Sequence, residues 1–339
     1  MIKTRITEMF GIKYPIISAP MGPFYTTELS LAVSEAGGLG VLSHTNLRGK
    51  DSIQVMEDNL NYMVEHTDKP FGFNIRTARM QPDAMPLIRK VARMIKKDSR
   101  LREQCVYGVT SAGTPRKAAE IWKKKAPSIK HFHVAPAQYL AQKVVNSGCD
   151  GLIVTGVEGG GHQSYEEIST LILLQEAVKA FPDVPLVACG GFATPEGIAM
   201  ALTGGADAVA MGTRFIATDD SEFHENYKDL IYPASDQDTL LTTGAFGPIR
   251  LLKNKYSLEH GKILSREEKL QQEAGFTAEQ LNEEMKRYEL VYKGDVENGA
   301  ILAGQTVGLI NSEMRVGDMI PQFIQQAEKI MKEAVSKIN

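Results

Sequence analysis

The chain has 339 residues, 43% of them hydrophobic and 23% charged, the balance of a soluble globular enzyme and not of a disordered or fibrous protein. A net charge of −3 leaves no basic footprint for nucleic acid, and no apolar run reaches the ~18 residues that a membrane span requires. Length alone allows two or three domains, although a single barrel often takes ~250 residues.

The N-terminal stretch MIKTRITEMFG runs directly into folded-looking sequence without a signal peptide. Three cysteines, Cys105, Cys149 and Cys189, lie in or beside apolar segments without CxxC spacing. Together these features read as a cytoplasmic protein with reduced, buried thiols and no metal site. Short apolar runs then alternate with helical patterns. Runs at 16–21, 38–43, 70–75, 105–110, 130–135, 151–156, 185–190 and 208–213 predict eight strands. The amphipathic stretches Glu28–Ala36, Gln138–Ser147, Glu166–Phe181 and Pro195–Thr203 predict helices between them. Such alternation specifies parallel βαβ units, and eight of them predict an α/β fold closed into a TIM (β/α)8 barrel. The basic run Lys123-Lys124-Lys125 reads as a solvated helix face.

In a barrel of this kind the active site lies at the carboxyl ends of the strands. Ala19-Pro20-Met21-Gly22, Asn74, Thr110-Ser111, Gly190-Gly191 and Met211-Gly212-Thr213 fall there. So does the end of DGLIVTGVEGGGH (150–162), where a buried strand runs into Gly159-Gly160-Gly161 and stops on His162. Glycines admit close backbone approach to a flat or anionic ligand, and a histidine held there has a pKa near neutrality. Taken alone, His162 reads either as a proton-handling group or as a structural histidine. Gly190-Gly191 precedes a helix that starts near Thr194-Pro195-Glu196, and Gly212-Thr213 closes the eighth strand. Their backbone N–H groups predict a phosphate cradle after strands seven and eight, the alternative being tight turns alone. Neither a Walker A motif nor GxGxxG is present.

After residue 217 the rhythm breaks, and 265–290 is strongly charged with helical spacing. Residues 1–217 plus 301–339 therefore read as the barrel, closed by AGQTVGLI and the amphipathic run Pro321–Lys337. Residues 218–300 read as a mostly helical insertion over its mouth, a lid that excludes water and shapes the substrate pocket. The alternative is a helical decoration or a contact between two copies of the chain, which keeps a homodimer open.

The segments TRITEMFGIKYPIISAPMG, AVSEAGGLGVLS, KPFGFNI, GVEGGGH, CGGFATPEG, GADAVAMGTRF and GDVENGAILAGQTVGLI follow one another nearly end to end. In that order they resemble the nitronate monooxygenase (2-nitropropane dioxygenase) family, which includes flavin-type enoyl-ACP reductases and NAD(P)H:quinone reductases. The resemblance implies a TIM barrel that binds FMN without a covalent link. It places Ala19, Pro20, Met21 and Gly22 against the isoalloxazine ring and Asn74 at the flavin's polar edge. Gly160, Gly190, Gly191, Met211, Gly212 and Thr213 would hold the ribityl phosphate and neighbouring atoms through backbone amides, with Gly161 in the same glycine loop. His162 falls on the family's active-site histidine. At the cofactor-facing position 155, where many members carry Gln or Glu, this chain has the shorter Thr155.

The resemblance also divides the activity. The APMG turn is similar to the nitronate monooxygenases, whereas many reductases carry QGGM there. Arg214 in GTRF, His224–Lys228 and Ala303–Gln305 look like the reductase branch; Arg214 would serve an anionic substrate, NAD(P)H or an ion pair. The leading expectation is an FMN-dependent nitronate monooxygenase that oxidises alkyl nitronates with O2. The alternative is an NAD(P)H-dependent reductase of enoyl thioesters or quinones, and a third reading is a non-catalytic flavin-binding barrel. The partner is accordingly a small-molecule or acyl-thioester substrate, with neither nucleic acid nor membrane.

Overall fold

A computed structural model describes residues 2–47, 51–78, 81–244, 247–259, 265, 267–268, 271, 275 and 277–338. Its strands are β1 (Ile16–Ser18), β2 (Gly40–Leu42), β3 (Phe71–Thr77), β4 (Cys105–Gly113), β5 (Lys130–Ala135), β6 (Gly151–Thr155), β7 (Gly161–His162), β8 (Leu186–Cys189), β9 (Ala208–Met211), β10 (Thr239–Gly244) and β11 (Gly247–Leu252). Eight of these form one parallel sheet in the order β1-β9-β8-β6-β5-β4-β3-β2. A parallel bridge between Ile17 and Leu39 brings its two edges together, through Leu39 N–H to Ile16 O (2.9 Å) and Ser18 N–H to Leu39 O (3.1 Å). No edge is left open, and the result is the expected TIM barrel.

Burial on both faces explains why these strands are continuous apolar runs and not alternating ones. Inward-facing Ile17, Val41, Tyr107, Val109, Phe132, Ile153 and Val187 fill the barrel. The helix Arg5–Phe10 plugs its amino-terminal end with Ile6 and Phe10, and the Phe10 ring sits 5.0 Å from Tyr107 and 5.9 Å from Phe132. Local chemistry fixes that plug. Thr4 and Thr7 form a reciprocal capping box, and Gly11 ends the helix at φ 66°, a conformation that favours glycine. Arg5 adds a two-pronged contact to Asp207, Nε to Oδ1 at 2.9 Å and Nη2 to Oδ2 at 2.8 Å.

The strand-to-helix alternation keeps its predicted places. Helices Thr27–Glu35, Gln138–Asn146, Thr170–Ala180 and Pro195–Thr203 match the amphipathic stretches closely. The helix read from residue 166 starts at Thr170 because Ser169 caps it, its hydroxyl accepting from Ile172 N–H. The last helix, Val316–Val335, packs against Pro195–Thr203 and Thr27–Glu35 and completes the outer ring.

Residues 218–300 combine helices with a sheet element. Besides the helices Glu225–Ile231, Lys255–Glu259 and Ala278–Tyr292 they contain the hairpin β10–β11. Two six-residue strands rich in Leu, Ile and Thr need no long apolar run. Here the hairpin gains a third strand from far away in sequence, β7, through Ile249↔His162 and Arg250↔Gly161. The same segment sends Glu222 back to the barrel, where its carboxylate accepts from Glu28 N–H (2.7 Å) and Leu29 N–H (3.3 Å). That is a cap for a helix whose own N-cap residue, Thr26, makes no side-chain capping bond.

Candidate active site

A cavity of about 660 Å³ opens at the carboxyl ends of the barrel strands. Ala19, Pro20, Met21, Gly22, Asn74, Thr155, Gly160, Gly161, His162, Gly190, Gly191, Gly212 and Thr213 all line it. Residues spread over nearly two hundred positions thus meet in one place. Met211 is the exception. Its side chain belongs to the core between strands and helices, and its carbonyl accepts from Ala19 N–H (2.8 Å), so it positions the APMG turn.

The two glycine pairs are built differently. Gly190 and Gly191 adopt φ of 82° and 88°, left-handed backbone that glycine takes without the steric penalty of a Cβ. A side-chain carbon on Gly190 would also lie 3.1 Å from the Gly156 carbonyl oxygen. Gly212 is ordinary in φ, and a carbon there would meet only Ala19 Cβ, at 3.8 Å; what it keeps clear is the cavity itself. Next to it the Thr213 hydroxyl accepts from Gly304 N–H (3.0 Å), which leaves the hydroxyl hydrogen as a donor. Backbone amides, one hydroxyl and space without side chains make this end suited to an anion such as a phosphate.

The loop that carries His162 is braced on three sides. β11 pairs with Gly161 and His162, and Gln163 N–H donates to Pro248 O (2.7 Å). Arg250 Nε donates to Val157 O (2.8 Å). From the late AGQ segment, Gln305 N–H donates to Glu158 O (2.9 Å), and a side-chain carbon on Gly160 would come within 2.7 Å of the Ala303 carbonyl carbon. Thr170 joins this loop to the first glycine pair: Gly156 N–H donates to its hydroxyl (2.9 Å), which in turn lies 2.8 Å from Gly190 O. The Glu158 carboxylate is taken by Thr170 N–H (2.9 Å). His162 itself is exposed at the cavity wall, within reach of an incoming ligand.

The cavity lining also includes His133 and Arg76, which the sequence reading did not single out. His133 lines the cavity, and the Thr110 hydroxyl lies between its Nδ1 (2.7 Å) and Nε2 of His131 (2.8 Å). Burial lowers both histidines to about 3, so both are neutral, and the hydroxyl donates to one and accepts from the other. Asn74 Nδ2 donates to Ser111 Oγ (3.1 Å). Arg76, two residues beyond Asn74 on the same face of β3, also lines the cavity; its Nη2 donates to Asn46 Oδ1 (3.0 Å). A period-two count from Asn74 finds it. Arg214, the arginine that the motifs suggested, lies outside the cavity wall. Its Nη2 donates to the carbonyls of Ala217 (2.5 Å) and Ser312 (2.8 Å) and ties the end of β9 to the closing segment.

Cys105 is buried and Cys149 and Cys189 are half-buried; all three are free thiols. Burial raises each of them above the usual thiol range, which argues against a thiolate nucleophile. Among the described residues no group of three His, Cys, Asp or Glu side chains is placed to hold a metal, and no helix is long and apolar enough to cross a membrane.

Comparison with known proteins agrees with this architecture. A sequence model of the nitronate monooxygenase family matches residues 3–326. A hydroxy-methyl-oxo-octahydroindene-carboxyl-CoA dehydrogenase of Rhodococcus jostii is 33% identical over 262 residues, 76% of this chain and 69% of its own length. Among solved structures, FabK from Thermotoga maritima superposes with a TM-score of 0.83 at 30% identity, covering 100% of both chains. A nitroalkane oxidase from Streptomyces ansochromogenes superposes with a TM-score of 0.76 at 25% identity, covering 97% of this chain and 99% of its own. The chain belongs to the nitronate monooxygenase family and is an oxidoreductase.

Proposed function

We propose that this member of the nitronate monooxygenase family binds FMN non-covalently and oxidises alkyl nitronates with O2, with His162 as its catalytic residue. The observation that carries the reading is a single cavity flanked by the APMG turn, Asn74, the two glycine pairs and His162. The residues present fit FMN. The phosphate would rest on the amides of Gly190-Gly191 and Gly212-Thr213, and the ring would lie against Ala19–Gly22. Buried polar atoms are left for a ligand: among the described residues Gln163 Oε1 and Arg76 Nε have no hydrogen-bond partner, and Thr155 Oγ1 lies beside the Cys189 thiol. FMN, when bound, supplies the redox chemistry.

The chain's own contribution is proton handling and placement. With a neutral nitroalkane, His162 takes the proton from the carbon that bears the nitro group. With a preformed nitronate it faces the anion instead, as a cationic partner when protonated. Asn74 and the APMG turn fix the slot in which the reacting carbon lies. The segment 218–300 is proposed as the part that shapes the substrate pocket, with Tyr227 as its contribution to the cavity wall.

A second reading is NAD(P)H-driven reduction of an acyl thioester, its thioester class suggested by the carboxyl-CoA named for the dehydrogenase at 33% identity. One experiment tests both. The purified protein is mixed anaerobically with propyl-2-nitronate, NADH or NADPH while flavin absorbance is followed. Bleaching by the nitronate supports oxidation of nitronates; bleaching by a nicotinamide alone selects the reductase; an unbleached flavin with all three rejects both. Gly191→Asp places a side chain and a negative charge in the cradle, and retention of FMN at wild-type affinity by that variant rejects the placement of the phosphate on Gly190-Gly191.

A further inference from the structure

We propose that Arg76 is the anion-recognising residue of the cavity and that the substrate carries a planar two-oxygen anion, a nitronate or a carboxylate, bound beside the APMG turn. This rests on the proposed FMN site, since it places the anion at the outer end of the same slot.

Three observations lead to it. Arg76 is half-buried and lines the cavity, and its Nε is buried without a hydrogen-bond partner among the described residues. A side-chain carbon on Gly22 would sit 3.7 Å from Nε and only 2.8 Å from the His44 carbonyl oxygen, so a glycine is what lets the APMG turn pass close to the guanidinium without a side chain between them. Finally, among the described residues no carboxylate forms an ion pair with Arg76. Asp83 acts on it only through space, because its oxygens are already taken by His44 Nε2 (3.0 Å), Gln81 Nε2 (2.7 Å) and the Ser52 hydroxyl.

His44 and Asp83 hold this arrangement from behind. Arg76 N–H donates to His44 Nδ1 (3.1 Å), so Nδ1 is the acceptor and Nε2 carries the hydrogen given to Asp83. Burial keeps His44 below the usual histidine range. Burial pushes Asp83 up, but the bonds from His44, Ser52 and Gln81 outweigh it and hold the carboxyl well below the ordinary range. The main chain of Arg76 is thereby fixed, and Asp83 remains a committed anion that does not close on the guanidinium. A cation withheld from water without a direct counter-charge is unfavourable. A ligand anion on its open N–H edge offsets that cost, and a flat two-oxygen group matches the guanidinium's fork. Because side chains two apart share one face of a strand, Asn74 and Arg76 form consecutive steps from the slot to its mouth.

The test uses the FMN-loaded protein and the variants Arg76→Gln and Arg76→Lys. Butyrate and uncharged butyramide are titrated by calorimetry, and propyl-2-nitronate by the concentration dependence of anaerobic flavin bleaching. Arg76→Gln is expected to weaken binding of the anion about 10–100-fold, the range for losing a charge-assisted pair. Butyramide binding and FMN affinity should stay unchanged, and Arg76→Lys should recover part of the loss. A loss confined to the nitronate assigns the nitronate as substrate; a loss confined to butyrate assigns a carboxylate. The proposal is overturned if both anions bind Arg76→Gln as they bind wild type, or if that variant loses FMN, which would make Arg76 a flavin ligand. Should Arg76→Gln fail to fold, equal affinity of the wild-type protein for butyrate and butyramide overturns it. A wild-type protein that binds no FMN defeats the cofactor reading instead, while its butyrate and butyramide titrations still test Arg76.

Discussion

The two ends of the barrel are built to opposite specifications. At the amino-terminal end Ile6 and Phe10 close the interior with apolar side chains, and Phe10, Tyr107 and Phe132 meet as tilted or edge-on rings. At the carboxyl-terminal end the interior is a cavity bordered by glycines, imidazoles and a guanidinium, and its loops are braced from outside by β11 and the 303–305 segment. One end gains stability from side chains packed together; the other keeps side chains away so that a ligand can approach backbone. Substitutions at the two ends should therefore separate stability from function.

The largest expected effect is at the open end. His162→Ala should lower turnover ~10²–10⁴-fold, the range for losing a positioned acid or base, while the melting temperature and FMN content hold. Steady-state rates with nitroethane and with its preformed nitronate sharpen the role. A base is needed more for the neutral compound, whereas a purely electrostatic histidine penalises the anion as much or more. Near-normal turnover on both would return His162 to a structural part.

At the closed end Phe10→Ala should destabilise the fold by about 3–5 kcal/mol, the usual cost of deleting a buried aromatic ring. Urea denaturation measures this, and the kcat of the fraction that remains folded should be nearly unaffected. A variant as stable as wild type but slow in turnover would break the contrast between the two ends.

The buried histidines of β5 give a pH signature that belongs to neither catalysis nor the plug. His131 and His133 are lowered by burial to about 3 from an ordinary value of 6.5. Between those values the unfolded chain binds more protons than the folded one, so stability is full above about pH 6.5 and falls as pH drops towards 3. Replacing Thr110 by Val removes the hydroxyl between them and should lower stability at every pH without steepening the slope between pH 7 and 5, because the folded state already binds neither proton there. Chemical denaturation at pH 7, 6 and 5 checks the slope, and a stability independent of pH over that range would contradict the buried neutral pair.

The smallest effect concerns the link between the 218–300 segment and the barrel. Glu222→Ala leaves Glu28 N–H and Leu29 N–H without their acceptor and should cost about 0.5–2 kcal/mol, as for other lost helix caps. Unchanged thermal stability would show that water replaces the carboxylate without loss.

The sequence by itself determined the barrel, because strand and helix periods are local properties and eight buried runs leave few ways to bury both faces. It also exposed the glycine loop ending on His162 and the two glycine pairs, since left-handed backbone and close approach demand glycine wherever they occur. What tertiary structure decided are partnerships across long separations. The β10–β11 hairpin was illegible as such because its stabilising third strand is Gly161-His162, nearly ninety residues earlier. Met211 carried a motif signal yet turns into the outer core, since alternation sends neighbours on a strand to opposite faces. Arg214 and Arg76 show the same limit from both sides. An arginine's value depends on whether carbonyls or a cavity surround its guanidinium, and that surrounding comes from chain segments the local sequence does not contain.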